Sequence, residues 1–150
     1  MPMACDACGN NDLKSLGMGT QRVEREIKKR FSKAVVLRVE KEKRGLDAAA
    51  LQKTDIIIAT QILNKPIQLQ RLTLCVAVMP DPMLHFPDFR AGEKLLQLLT
   101  NFRALTRDEL IIQTFIPEHP LFKTIIHNRL EDFYARELEE RKMLRLPPLI

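Results

Sequence analysis

Apolar positions recur along this chain at two spacings. From Gln21 to Lys33, Val23, Ile27 and Phe31 are four apart, the stripe of an amphipathic helix, with Thr20 as its N-cap. Short apolar, β-branched runs follow at Ala34 to Val39, Asp55 to Thr60, Leu72 to Val78 and Glu109 to Phe115, and each predicts a strand. Leu13 to Met18 is a further strand candidate, bracketed at its end by Gly17 and Gly19. Between the strands lie a short Ala-rich helix, Leu46 to Lys53, and a longer one, Asp88 to Phe102, whose buried side is Phe89, Leu95, Leu96, Leu98, Leu99 and Phe102. Pro120 to Leu144 reads as the longest helix, with Phe122, Ile126, Leu130, Phe133 and Leu138 inward, and Pro147-Pro148 stops it. Continuous apolar strands alternating with helices predict an α/β fold with a mostly parallel sheet covered on both faces. Such sheets bind ligands beyond the carboxyl ends of their strands. The segments to inspect are therefore Glu40 to Gly45, Thr60 to Pro66, Met79 to Phe86 and Ile116 to His119.

Composition narrows the picture. A chain of 150 residues, 45% hydrophobic and 29% charged, can bury a real core. Its net charge of +5 is unevenly spread: Gln21 to Arg44 holds ten Lys/Arg against four Glu, whereas the remainder holds fourteen against fifteen acids. A local basic stripe is the footprint of phosphate binding; it is equally a solvated helix face, since Glu24, Glu26, Glu40 and Glu42 interleave with the bases. No apolar run approaches the roughly 20 residues of a membrane helix. Pro2, Cys5 and Asp6 stand where a signal peptide has basic and then apolar blocks, so a cytoplasmic protein is expected.

Catalytic motifs are missing. There is no Gly-rich phosphate loop, no Ser/His/Asp set and no metal-hydrolase motif. Cys5 and Cys8 have the C-x-x-C-G spacing that presents two thiolates to zinc, but structural zinc takes four ligands. No second C-x-x-C exists, Cys75 falls inside a strand, and His85, His119 and His127 lack ligand spacing to the pair. Asp81 and His85 bracket the turn after the third strand, either as cleft-lining groups or, for Asp81, as a turn cap beside Pro80 and Pro82.

Longer stretches carry a resemblance. Asp55 to Phe102 contains Thr60-Gln61, Lys65, Asp81, Pro87-Asp88-Phe89-Arg90-Ala91 and Gln97-Leu98-Leu99-Thr100 in order. Leu110 to Pro120 reads LIIQTFIPEHP, Asp132 to Pro148 reads DFYARELEERKMLRLPP, and Cys5 to Ile27 runs from the C-x-x-C-G knuckle into a Gly-x-Gly-Thr helix start. Together these resemble the second motor lobe of the primosomal protein N′ (PriA) helicases, with the last half of their zinc insertion. Nearly the whole chain is covered.

The resemblance implies a three-layer, RecA-like superfamily 2 helicase C-terminal lobe. Residues 1–12 would be a partial zinc knuckle, 13–118 the lobe, and 119–150 a C-terminal helix and Pro-Pro tail. It further implies DNA contacts at Thr60, Gln61 and Lys65, and a zinc site begun by Cys5 and Cys8 that this chain alone leaves incomplete. ATP and Mg²⁺ would be held together with a first lobe, which the resemblance does not include. Arg103 and Arg107 are the candidate nucleotide contacts. DNA, a separate first lobe and other primosome proteins are the implied partners, and replication restart with 3′-to-5′ unwinding the implied work. Two departures matter. The family's Gly after Lys65 is Pro66, which removes a backbone donor, with Ile67 and Gln68 replacing nearby polar positions. The family's Gln-x-x-Gly-Arg-x-Gly-Arg becomes Asn101 to Asp108, without glycines and with the arginines out of register. The chain alone is expected to be inactive as an ATPase. The alternative is a non-catalytic helicase-fold module that binds nucleic acid or a protein partner.

Overall fold

The computed structural model describes Gly9 and residues 19–39, 48–60 and 72–148. The strand expected at Leu13 to Met18, the knuckle cysteines Cys5 and Cys8, and the Gln61 to Lys65 loop lie outside the described residues. The chain divides into two compact units, Met1–Leu63 and Asn64–Ile150.

In the first unit, α1 (Thr20–Arg30) leads to β1 (Val36–Val39), α2 (Ala48–Gln52) and β2 (Ile56–Ala59). β1 and β2 are parallel, with Val36 opposite Ile56 and Val39 opposite Ala59. Asp55 locks this pairing at its start, because its carboxylate accepts the Val35 N–H at 2.8 Å while its own N–H donates to the Val35 carbonyl at 3.0 Å. α1 lies over the two strands with Val23 and Ile27 half-buried. Two expectations shift here. Gly19 rather than Thr20 is the N-cap, and no side chain caps the helix. Phe31 leaves the apolar stripe, since the helix ends at Arg30 and the backbone turns away, leaving the ring 52% exposed.

In the second unit, β3 (Leu72–Val78) runs through a 3-10 turn (Asp81–His85) to α3 (Ala91–Leu105), then directly into β4 (Thr106–Gln113), α4 (Pro120–His127) and α5 (Leu130–Met143). β3 and β4 are parallel neighbours, Cys75 opposite Leu110 and Val78 opposite Gln113. The crossover that parallel neighbours require is supplied by α3. Leu72 pairs with Thr106 but Leu74 with Glu109, so β4 carries one extra residue, a bulge at Arg107-Asp108.

The core sits on one face of this strand pair. Ala77, Leu95, Leu96, Leu99, Leu121, Phe122, Ile125 and Phe133 form one buried cluster, flanked by Leu110 and Ile112. Leu95, Leu96 and Leu99 repeat at helical spacing, and burying each such side chain contributes about 1.5–3 kcal/mol. The other face is Leu74, Val76, Val78 and Ile111, all substantially exposed, which departs from the sheet covered on both sides that the apolar runs predict.

The single helix expected from Pro120 to Leu144 is two. Asn128 adopts a left-handed backbone (φ 55°), which Asn tolerates better than most residues, and its N–H and that of Arg129 close α4 onto the Ile125 and Thr124 carbonyls. The break changes which side chains are inside: Ile125 is buried at 3% exposure, whereas Ile126 is 63% exposed and Leu138 also faces out. Phe89, expected inside, is exposed because α3 begins after it, at Ala91.

Candidate functional site

The carboxyl edge of β3 and β4 is built around one carboxylate. β3 ends at Val78, Met79 takes a left-handed backbone (φ 50°) while its N–H still pairs with the Gln113 carbonyl, and the chain turns into Asp81. Asp81 is only 7% exposed. Its Oδ1 accepts the Thr114 hydroxyl at 2.5 Å and the Phe115 N–H at 3.0 Å. The Thr114 oxygen in turn accepts the Ile116 N–H at 3.0 Å. Burial pushes the Asp81 carboxyl up, but the Thr114 hydroxyl and nearby backbone N–H groups outweigh it and hold the group below the usual carboxylate range. Asp81 is thus a tie between the ends of two strands. Its Thr114 partner carries no sequence signal of its own, because the pair is far apart in the chain.

The next joint is His119. Its Nδ1 accepts the Leu121 N–H at 3.2 Å, capping α4, and Pro120 occupies the first helical position, where no N–H is needed. The accepting nitrogen must be unprotonated. Burial lowers the imidazole pKa, and the Arg136 and His85 charges lower it further.

Pro87-Asp88-Phe89-Arg90-Ala91 starts α3. Asp88 accepts the Arg90 N–H at 2.9 Å and the Lys94 ammonium. Two guanidiniums approach the Phe89 ring, Arg90 at 5.5 Å and Arg141 at 5.2 Å from its centre. Arg141 also binds Glu93 at 2.7 Å and Glu137 at 2.9 Å, which fastens α5 to the start of α3.

Arg103 and Arg107 lie at the opposite, amino edge of β4. Arg103, in the last turn of α3, donates to the Ile125 carbonyl at 2.9 Å. Arg107, at the bulge, meets the Asp108 carboxylate with two hydrogen bonds of 2.7 and 2.9 Å, an exposed pair. Both guanidiniums are therefore engaged within the second unit, and neither stands beside the carboxyl-edge turn. Thr60 is exposed, directly after β2 in the first unit, at the carboxyl edge that its sequence position predicts. No group of three or more His, Cys, Asp or Glu that could hold a metal occurs among the described residues. No helix among them is long and apolar enough to cross a membrane.

The fold is therefore α/β with short parallel strand pairs, a layout compatible with a RecA-like helicase lobe. No family model matches the chain. Along its whole length, however, it is similar to the replication restart protein PriA. It is 34% identical to the Bacillus subtilis protein over 161 residues, covering 99% of this chain and 20% of that one. It is 32% identical to the Haemophilus influenzae protein over 161 residues, covering 99% of this chain and 22% of that one. For the Synechocystis protein the identity is 31% over 160 residues, covering 98% of this chain and 19% of that one. The chain is thereby a PriA-like segment, and it spans about a fifth of the length of the curated relatives it matches.

Proposed function

We propose that this chain is the second, RecA-like lobe of a PriA-like helicase and works on DNA in replication restart. One observation carries the reading: similarity to PriA extends over 98–99% of the chain in these relatives. The geometry supports it. The stretches of the family resemblance, PDFRA and IQTFxPEHP, supply the Asp88 turn that leads into α3, the strand tie at Thr114 and the cap of α4.

On this reading ATP and Mg²⁺ belong to the assembly of this segment with a first lobe, and primosome proteins are partners of that assembly. Thr60, Gln61 and Lys65 are the proposed DNA contacts after β2, and Cys5 and Cys8 the proposed half of a zinc knuckle. On this reading the chain by itself carries no ATP step, because the arginine motif of the family is altered at Asn101 to Asp108. The same alteration is compatible with the second reading, a DNA-binding module without a motor.

Titration of a labelled single-stranded oligonucleotide with the 150-residue chain, at 50 and 200 mM salt, tests DNA binding. Binding that weakens steeply with salt is expected. No binding at low salt would remove both readings. An ATPase assay, of the chain alone and mixed with a first lobe of a PriA protein, separates them: DNA-stimulated turnover only in the mixture supports the split lobe, and none in either supports the module.

A further inference from the structure

We infer that the solvent face of α1 is a phosphate-contacting surface for single-stranded nucleic acid, separate from the loop after β2. The inference rests on the DNA reading above and names a surface which that reading does not include.

The placement of charge on the helix carries the argument. At 100° per residue, Lys28, Arg25, Lys29 and Arg22 fall in order within one arc of about 120°, opposite Val23 and Ile27, and all four are exposed. The arc presents four cations, with Glu24 and Glu26 at its two margins. The two acids of α1 are taken up locally. Glu24 turns toward β1, where it meets Lys28 at 2.7 Å and Arg38 at 2.9 Å. Glu26 meets Lys29 at 3.2 Å. The Lys29 hydrogen bond and charge, with Arg30 and Arg22 nearby, hold the Glu26 carboxyl below its usual range. Arg25 has no carboxylate partner among the described residues.

Helix stability does not account for the row. Lys28, Lys29 and Arg30 are in the last turn, where the helix dipole favours cations. Arg22 is in the first turn, where it opposes a cation and no acid stands to compensate, and Arg25 is at mid-helix, where the dipole gives it no support. Local rules broken without local gain are expected where function needs the residues. A membrane is a poor match, because the apolar stripe of α1 faces β1 and β2 and is not free to enter lipid. The phosphodiester backbone fits: it asks for spaced cations and no apolar face.

The test compares three chains by oligonucleotide titration across a salt series: the unaltered chain, Arg22→Gln/Arg25→Gln, and Arg129→Gln/Lys142→Gln, which removes the same charge from exposed positions in the second unit. The α1 variant is expected to bind more weakly, with the slope of log affinity against log salt reduced by about 1.4, or about 0.7 per lost phosphate contact. Its thermal stability should be equal or higher, since it relieves the dipole conflict. The control should keep the parental slope. An unchanged slope in the α1 variant, or an equal loss in the control, overturns the inference while leaving the DNA reading standing. Failure of the unaltered chain to bind DNA removes both. Binding to phosphatidylserine vesicles but not to oligonucleotide overturns the inference in favour of a membrane.

Discussion

Asp81 accepts the Thr114 hydroxyl at 2.5 Å, although 33 positions separate the two residues in the chain. The bond joins the turn after β3 to the residue that follows β4, and the Phe115 N–H adds a second link to the same oxygen. Asp81 therefore holds the carboxyl edge of the strand pair together from inside.

Asp81→Ala strands the Thr114 hydroxyl and the Phe115 N–H. A loss of about 1–3 kcal/mol in urea denaturation is expected, the cost of leaving buried polar groups unmade. Thr114→Val should cost less, and the double variant less than the sum of the two. Full additivity would show that the tie contributes nothing.

Because its folded-state pKa is lowered, Asp81 adds stability above the ordinary Asp value of 3.8 that is lost as pH falls through the folded value. His119 acts in a higher window. Its folded pKa is also lowered, so the native state resists protonation and stability should fall once pH drops below the ordinary 6.5. His119→Asn keeps a capping acceptor and removes the titration. Its denaturation midpoint should vary less than that of the unaltered chain between pH 7 and 5. An identical fall in both chains would acquit His119.

Arg103 joins the last turn of α3 to the end of α4 through the Ile125 carbonyl. Arg103→Gln should lower stability by about 1 kcal/mol, since a hydrogen bond from a charged donor is lost at an exposed position. Hydrogen exchange should quicken at the α4 terminus. Unaltered exchange there would refute the anchoring role.

Asn128 splits the C-terminal helical region by its left-handed backbone. Asn128→Gly should be tolerated without loss, whereas Asn128→Ala should cost about 1 kcal/mol, because a Cβ without a compensating polar group is unfavourable there. Equal stability of the two variants in thermal melts would mean that the break is not set by this residue.

Much of the fold is legible from neighbouring residues. The four apolar runs became β1 to β4, and Leu95, Leu96 and Leu99 faced the core as their spacing requires. Asp81 was visible as a turn carboxylate, though not as a strand tie. The helix break at Asn128 was not legible, because Ile126, Leu130 and Leu138 continue an apparently helical pattern and one backbone conformation overrides it. The approach of Arg141 to the Phe89 ring was equally hidden, since α5 must first fold back onto α3.

By itself, then, the sequence determined the α/β alternation, the strand positions, the basic excess of Gln21 to Arg44 and the motifs shared with PriA. Tertiary structure decided which face of β3 is covered, that Arg141 grips Glu93 across 48 positions, and that α1 turns its acids into local pairs while Arg22 and Arg25 face solvent. The reason is physical. Periodicity and propensity act among residues a turn apart, whereas a hydrogen bond or ion pair between distant residues exists only once packing has brought both partners to the same place.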